Sequence, residues 1–417
     1  MRSRFLFPAI VAALVVLVAL PAQALEAPRS GNAVFDRAVR LVMDNFYDAA
    51  DLPAFVDAIR REINAAHSPL TSASQTARVD AGIDTVLASL RASHTGRFKQ
   101  DSIAYFELSD VFRGAIRRDL RRLFPPQGEV SYLGIGMIAA QKDGKWFVTD
   151  VYDGSPAARA GILMGDEVLD IDGEPYREIG SFAGKFARKV AVRLRRHAGA
   201  EPIRIEVLVQ RIEPLPGFED AIAKSAAVVE RDGRHIGYIR LWTLSAPRSM
   251  DIVAEALAEG RLKDVDGLVL DLRGRWGGGE SDSAELFLGR TPDFKLVGRN
   301  RGDMIANVRW HKPLVAIIDE GSRSGLELFA YSLKINGIRL VGSRTAGALL
   351  AGRAFLLPDD SLLEIAVADA VINNSVRLEG VGVEPHVPVA LDLPYAAGWD
   401  AQRVAAVEEM RRMLAGE

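Results

Sequence analysis

Cysteine is absent from the 417-residue chain, which excludes disulfides, thiolate metal sites and a cysteine nucleophile. Histidine is scarce. The six residues, at 67, 94, 197, 235, 311 and 386, form no HExxH or similar pair, so neither a protein-built zinc site nor any other cofactor is expected. Neither sign of charge dominates, and a net charge of -3 gives no footprint for nucleic acid or an anionic membrane surface. After the first 24 residues no apolar run is long enough to cross a bilayer. Internal repeats and low-complexity tracts are also lacking. What is there, 48% hydrophobic and 26% charged residues, is ordinary globular composition at a length that allows two or three domains.

The N-terminus reads as a secretory signal peptide over residues 1–24. Arg2 and Arg4 precede an apolar run over 5–20, and Ala22-Gln23-Ala24 offers a small-x-small cleavage site. The expected location is periplasmic or secreted, with an uncleaved anchor as the alternative. Residues 30–125 read as helical: Val34, Phe35, Ala38, Val39 and Val42 recur at helical spacing, as do Phe55, Ile59 and Ile63, then Val79, Ile83, Val86 and Leu90. The run ends at Ser93-His94-Thr95-Gly96, where a lone histidine commonly serves as a cap.

A β-rich texture begins near Ser131. Tyr132-Leu133-Gly134-Ile135-Gly136 leads into a strand, and Lys142-Asp143-Gly144-Lys145 reads as a hairpin turn. Ser155-Pro156-Ala157 with Ala160-Gly161-Ile162 follows, then Gly165-Asp166 and Ile171-Asp172-Gly173. In this order these motifs resemble a PDZ domain over residues 130–212. The resemblance implies that backbone N–H groups around Leu133, Gly134, Ile135 and Gly136 hold a C-terminal carboxylate while the peptide adds as a strand.

Residues 215–234, with Pro214, Pro216 and Gly217 at their start, read as a connector. Strands and helices then alternate over 235–341, which implies a largely parallel sheet covered by helices. In that series 281–288 reads as a helix following the Gly277-Gly278-Gly279 turn. Residues 354–357 and 362–367 read as a hairpin around Asp359-Asp360, and 401–414 as a terminal amphipathic helix. The segment 313–337 is the most informative: an apolar Val/Ile-rich strand, a tight polar turn, Ser324, and a helix stopped by Asn336-Gly337. Such a strand–turn–helix junction exposes a nucleophile beside free helix N–H groups. Ser324 with Glu327 three residues on reads equally as a capping box.

The order of these regions, with Gly237-Tyr238-Ile239, Asp271-Leu272-Arg273-Gly274, Ser322-Arg323-Ser324-Gly325 and Gly380-Val381-Gly382-Val383-Glu384-Pro385, resembles the C-terminal processing (tail-specific) serine proteases. The resemblance implies an α/β fold: a crotonase-like ββα core over 215–397, an inserted PDZ domain, an N-terminal helical region and a C-terminal helix over 398–417. It implies Ser324 as nucleophile, Ser322 as a non-catalytic neighbour, and oxyanion donors near Gly277 or Gly278 and at Gly325. The substrates it implies are proteins or peptides captured by the PDZ domain.

One element of the family pattern is missing. Ala348 stands where the activating lysine belongs; Arg344 cannot accept a proton, and Lys334 lies ten residues beyond Ser324 on the far part of a helix. Some relatives use serine, histidine and glutamate instead. In one such arrangement the histidine follows Gly-Tyr-Ile, where this chain has Arg240. In another it precedes the PDZ-like domain, where His94 stands, and the glutamate lies before Gly-Val-x-Pro, where Glu379 stands. The expected set is therefore Ser324, His94 as base and Glu379 orienting the imidazole. His235 and His386 are weaker candidates. A PDZ-bearing binding or adaptor protein that has lost its base is the second reading.

Overall fold

The computed structural model describes residues 26–280, 282–289, 295–298, 302–305 and 308–417. The expected signal peptide lies outside them. Among the described residues no helix is long and apolar enough to cross a membrane.

The centre is a six-stranded sheet in the order Val387–Pro388, Arg339–Gly342, Leu314–Ile318, Gly267–Asp271, Arg234–Arg240, Ala227–Arg231. All neighbours run parallel except the last pair. Every residue of Gly267–Asp271 and Leu314–Ile318 is buried, as parallel strands covered on both faces require. One face is covered by the helices Pro214–Ser225, Ser249–Ala258 and Gly325–Ile335, through Phe218, Ile222, Val253, Leu326, Phe329 and Leu333. The other is covered by the terminal helix Ala401–Ala415, through Ala406, Val407 and Met410.

Residues 213–225 correct the connector reading. Pro214 and Pro216 fall in the first helical turn, where the missing N–H has no intrahelical partner to lose. Leu215, Phe218, Ala221 and Ile222 then bury one face of Pro214–Ser225. The strand Ala227–Arg231 follows, so the whole stretch belongs to the core. A second correction is shorter: helix is confined to Glu285–Leu288, where 281–288 was expected, and Ser281 lies outside the described residues.

A five-stranded antiparallel sheet runs Met137–Lys142, Lys145–Val151, Glu167–Ile171, Lys189–Arg195, Ile203–Leu208, with Met137–Lys142 at one edge. The N-terminal helices Ala33–Asn45, Leu52–Ile63 and Thr76–Ala88 share a core with Leu350, Leu363 and Ile365 of the hairpin Leu350–Leu356/Leu362–Asp369. Strand Gly96–Phe98 joins that hairpin antiparallel, Gly96 facing Glu364. Two segments more than 260 residues apart in sequence are thereby welded into one unit, which brings Ser93-His94 to the carboxyl edge of the central sheet.

The tail is fixed by a buried ionic cluster. Arg273, 5% exposed, donates to both oxygens of Asp271 at 2.9 and 2.6 Å, and to Asp400 at 3.0 and 2.6 Å. Asp400 caps the terminal helix through the Arg403 N–H, so one guanidinium links sheet and tail. Replacing Arg273 by Met removes the hydrogen-bonded counter-charge of the fully buried Asp271 and leaves only the field of Arg240, a loss of ~3–5 kcal/mol. Urea unfolding is expected to show a lower midpoint at unchanged slope; a midpoint equal to wild type would show that the cluster contributes nothing net.

Candidate active site

The loops leaving the carboxyl edge of the parallel strands, residues 241–246, 272–279, 319–324 and 343–348, converge on Ser324. Sites in open α/β sheets form at this edge. Within the turn after Leu314–Ile318, Ser322 is fully buried and donates its hydroxyl to the Leu272 carbonyl at 2.7 Å, a structural role. Ser324 has φ 54° and ψ -125°, a backbone region costly for a residue with a side chain, by ~1–3 kcal/mol. Its N–H donates to the Ala348 carbonyl at 2.9 Å. The hydroxyl half of the capping box is not realised: the Ser324 hydroxyl caps nothing. The Glu327 carboxylate instead accepts from Thr345 Oγ1 at 2.5 Å, Gly347 N at 2.7 Å and Ala348 N at 2.6 Å. The hydroxyl is left half-buried and without a hydrogen bond among the described residues.

Gly277 and Gly325 lie against this serine. A Cβ on Gly277, which has φ 58°, would lie 2.7 Å from Ser324 Cβ and 2.7 Å from Gly325 N, so only glycine fits. Gly278 closes the same contact, its carbonyl oxygen 1.8 Å from where a Gly325 Cβ would be. The Gly277 carbonyl is turned away and held by Leu244 N at 2.9 Å and by the Thr243 and Ser245 hydroxyls at 3.1 Å each. The N–H groups of Gly277, Gly278 and Gly325 meet no acceptor among the described residues. Unpaired N–H groups beside a free hydroxyl are what an oxyanion requires.

His94 is 8% exposed and also has positive φ, 53°. It reaches Glu379 through an intermediary that the sequence reading missed, Ser93. Glu379 accepts from Ser93 N at 2.9 Å, Ser93 Oγ at 2.8 Å and Leu349 N at 2.9 Å. Ser93 Oγ is in turn 2.9 Å from His94 Nδ1. A carboxylate only accepts, so the single Ser93 proton goes to Glu379 and the Ser93 oxygen accepts from Nδ1–H. Nε2 is then left with its lone pair free. The only sequence signal for Ser93 is its adjacency to His94.

The two halves of the site meet in consecutive residues: Ala348 O holds Ser324 N, and Leu349 N holds Glu379. They meet again at Arg323. Burial, together with the Arg323 cation, pushes the His94 imidazole down to about 4, so it is neutral at neutral pH. Glu364 belongs to the same cluster. A Cβ on Gly352 would lie 2.6 Å from Glu364 Oε1 and 3.1 Å from His94 Cδ2, so carboxyl and ring flank that glycine. Burial raises Glu364 to about 7 against the opposing pull of Arg323. His94 and the Ser324 hydroxyl are not hydrogen-bonded to each other; such contacts often tighten only with substrate present.

The other candidates lie elsewhere. His235 is exposed beside Glu230, 3.9 Å away. His386 Nδ1 accepts the Leu340 N–H at 3.0 Å while its backbone N–H donates to the Leu340 carbonyl at 2.8 Å. Lys334 Nζ bonds the Glu384 carbonyl at 2.7 Å. Ala348, at the place of the missing lysine, is 7% exposed and acts through its backbone. Among the described residues no group of three or more His, Asp or Glu is arranged to hold a metal.

In the five-stranded domain, Gly134 ends the strand Tyr132–Gly134 with Leu133 half-buried beside it. Ile135 is 1% exposed, and Gly136, at φ 77°, packs so closely that a Cβ would lie 2.3 Å from Ser155 Cβ. The carbonyls of Ile135 and Gly136 are taken by Ala157 N at 2.9 Å and Tyr152 N at 3.0 Å. Their own N–H groups meet no acceptor among the described residues. They sit at the start of the edge strand Met137–Lys142.

Comparison with known proteins defines the class. Residues 235–389 match the model of peptidase family S41, and residues 147–196 match that of the PDZ domain. The carboxy-terminal processing protease CtpB of Bacillus subtilis is 26% identical over 308 residues, 70% of this chain and 62% of the relative. The chloroplastic carboxyl-terminal-processing peptidase 3 of Arabidopsis thaliana is 30% identical over 281 residues, 62% of this chain and 53% of the relative. The chain thus spans between half and two thirds of these two relatives. Among solved structures, mature CPAF complexed with lactacystin matches 93% of this chain and 99% of its own at TM-score 0.52 and 12% identity. The tricorn protease matches 91% of this chain and 36% of its own at TM-score 0.51 and 18% identity, and both likenesses concern the fold. Residues 235–389 thus resemble peptidase family S41 and residues 147–196 a PDZ domain, and the chain is similar to the carboxy-terminal processing proteases.

Because the folded imidazole titrates near 4 and an unfolded one near 6.5, the folded state lacks a proton that the unfolded state binds between those values. His94 therefore withdraws stability as pH falls through that window and contributes nothing above it. Proton NMR of the His94 ring is expected to show a midpoint near 4, moved upward in Arg323→Met. A midpoint at the ordinary value in wild type would contradict the burial and the Arg323 field described here.

Proposed function

We propose that this chain is an extracytoplasmic serine endopeptidase of the C-terminal processing type, in which Ser324 attacks the scissile carbonyl. His94 Nε2 takes the serine proton and returns it to the leaving amine, and Glu379 orients His94 through Ser93. The N–H groups of Gly325 and of Gly277 or Gly278 receive the oxyanion. An acyl-enzyme forms as the amide C–N bond breaks, and water attacking by the reverse proton path releases it. The observation that carries this reading is the Glu379–Ser93–His94 relay. It commits Nδ1 as donor and leaves Nε2 as a base that burial and Arg323 keep unprotonated. The extracytoplasmic location is inferred from the basic-then-apolar pattern of residues 1–24.

Capture of substrate C-termini is assigned to the PDZ domain. Its support is the pair of unengaged N–H groups at Ile135 and Gly136 at the start of a strand, Met137–Lys142, that forms one edge of its sheet. Leu133 and Gly134 lead the chain into that loop. The partners are therefore proteins or peptides with free C-termini.

A fluorophosphonate probe is expected to label wild type and to leave Ser324→Ala unlabelled. Loss of a general base lowers the rate by roughly 10²–10⁴-fold, the drop expected in His94→Ala, with Ser93→Ala between it and wild type. Full-rate labelling of His94→Ala would remove His94 from the mechanism; no labelling of wild type would favour an inactive PDZ-bearing binder.

For the PDZ domain, an apolar C-terminal peptide is expected to bind the full chain with at least about tenfold loss on amidation, since charge-assisted bonds to the carboxylate disappear. Equal binding of both forms would rule out carboxylate capture.

A further inference from the structure

The turn that carries Gly277 has no regular secondary structure to hold it, and Trp276 just before it has φ 65°. A geometry useful for an oxyanion must be fixed to a fraction of an ångström. On one side the turn is secured by residues 243–245, through the Gly277 carbonyl. On the other side stands a carboxylate outside the S41-matched region, Glu107 on the helix Ile103–Val111, 1% exposed.

Glu107 Oε2 accepts from Arg275 Nε at 2.7 Å, from a second Arg275 nitrogen at 2.5 Å and from Trp276 Nε1 at 2.6 Å. Its Oε1 accepts from the Tyr152 hydroxyl. The two residues that immediately precede Gly277 are thus anchored by side chain to one buried carboxylate. Arg275 N also donates to the Trp242 carbonyl at 2.6 Å.

Tyr152 extends the anchorage into the PDZ domain. Its N–H bonds the Gly136 carbonyl in the candidate carboxylate-binding loop, and its ring packs edge-on against Trp242 with centroids 4.9 Å apart. Trp242 Nε1 donates to Asp153 of the same PDZ segment at 3.0 Å.

We propose that Glu107 is the positioning residue of the oxyanion turn. Its carboxylate fixes Arg275 and Trp276 so that the Gly277 N–H faces the carbonyl attacked by Ser324, and its second oxygen ties that turn to the PDZ loop through Tyr152. Glu107 touches no reacting atom; it acts through residues 275–277. The inference rests on the serine peptidase reading above.

The test is saturable fluorophosphonate inactivation of the full chain, separating the limiting rate from the binding constant of the probe. Glu107→Gln keeps the shape but halves the acceptor capacity and removes the charge. A displaced oxyanion donor lowers the limiting rate by roughly 10–100-fold, with the probe's binding constant within about twofold of wild type. Glu107→Asp, with its charge kept, is expected to recover part of that loss. Trp276→Phe, which removes one donor and keeps an aromatic ring, serves if Glu107→Gln does not fold, and is expected to lower the limiting rate alone. An unchanged limiting rate in a folded Glu107→Gln or Trp276→Phe variant overturns the proposal. So does a parallel loss of probe binding and rate, which marks a merely structural residue. Wild type that takes no probe at all overturns the peptidase reading itself, a result distinct from the other two.

Discussion

The hydrogen bond from the Ser324 N–H to the Ala348 carbonyl is the contact on which the site depends. Ser324 holds a backbone conformation that a residue with a Cβ adopts only under constraint, and its own amide is one of the groups that constrain it. Ala348 can serve as anchor because its N–H is fixed by Glu327, as is that of Gly347. One residue further on, Leu349 N bonds Glu379, which sets Ser93 and through it His94. Ser324 and Glu379, the proposed nucleophile and the proposed orienting group, are thus registered by adjacent residues of one segment. Glu327, buried and expected from sequence as a capping partner of Ser324, is instead the organiser of that segment.

On the proposed reading, this arrangement would let Ser324 be activated without a lysine base. A lysine must be desolvated to lose its proton near neutral pH; an imidazole begins close to the required range and needs orientation more than depression. Here orientation comes from a serine–carboxylate relay, and neutrality from burial and Arg323. Alanine at position 348 retains only backbone duties. Glu364, raised by burial against the pull of the same Arg323 cation, lies beside the His94 ring across Gly352, so the histidine has an acidic neighbour as well as a cationic one.

What the sequence made legible was what is local. The apolar run before Ser324, the polar turn and the helix after it follow from spacing and turn chemistry, and the observed strand and helix differ from them by a residue or two. The glycines at 277 and 278 were placed by the resemblance, and the structure gives a reason for glycine there: a Cβ on Gly277 would meet residues 323–325 and one on Gly278 would meet Ser245. His94 and Glu379 came from family resemblance alone: 286 residues separate Ser93 from Glu379, and no periodicity reports such a pairing. Ser93 was hidden because a serine after a helix looks like a cap. Glu107 was hidden because a single acid in an apolar helix carries no spacing signal, although an acid within Ala104-Tyr105-Phe106-Glu107-Leu108 could have been flagged as needing a buried partner. Residues 215–234 were misread as a connector because Pro and Gly were weighted as breakers where the helix start neutralises both prolines.

The central claim, that an imidazole at position 94 deprotonates the hydroxyl at 324, is tested most directly by chemical rescue. His94→Gly opens the ring's volume beside Gly352, and free imidazole added to that variant can occupy it. The account predicts that reaction of Ser324 with fluorophosphonate, lost in His94→Gly, returns in proportion to imidazole concentration and never returns when Ser324→Ala is added. A His94→Gly variant that reacts at the wild-type rate without imidazole would contradict it.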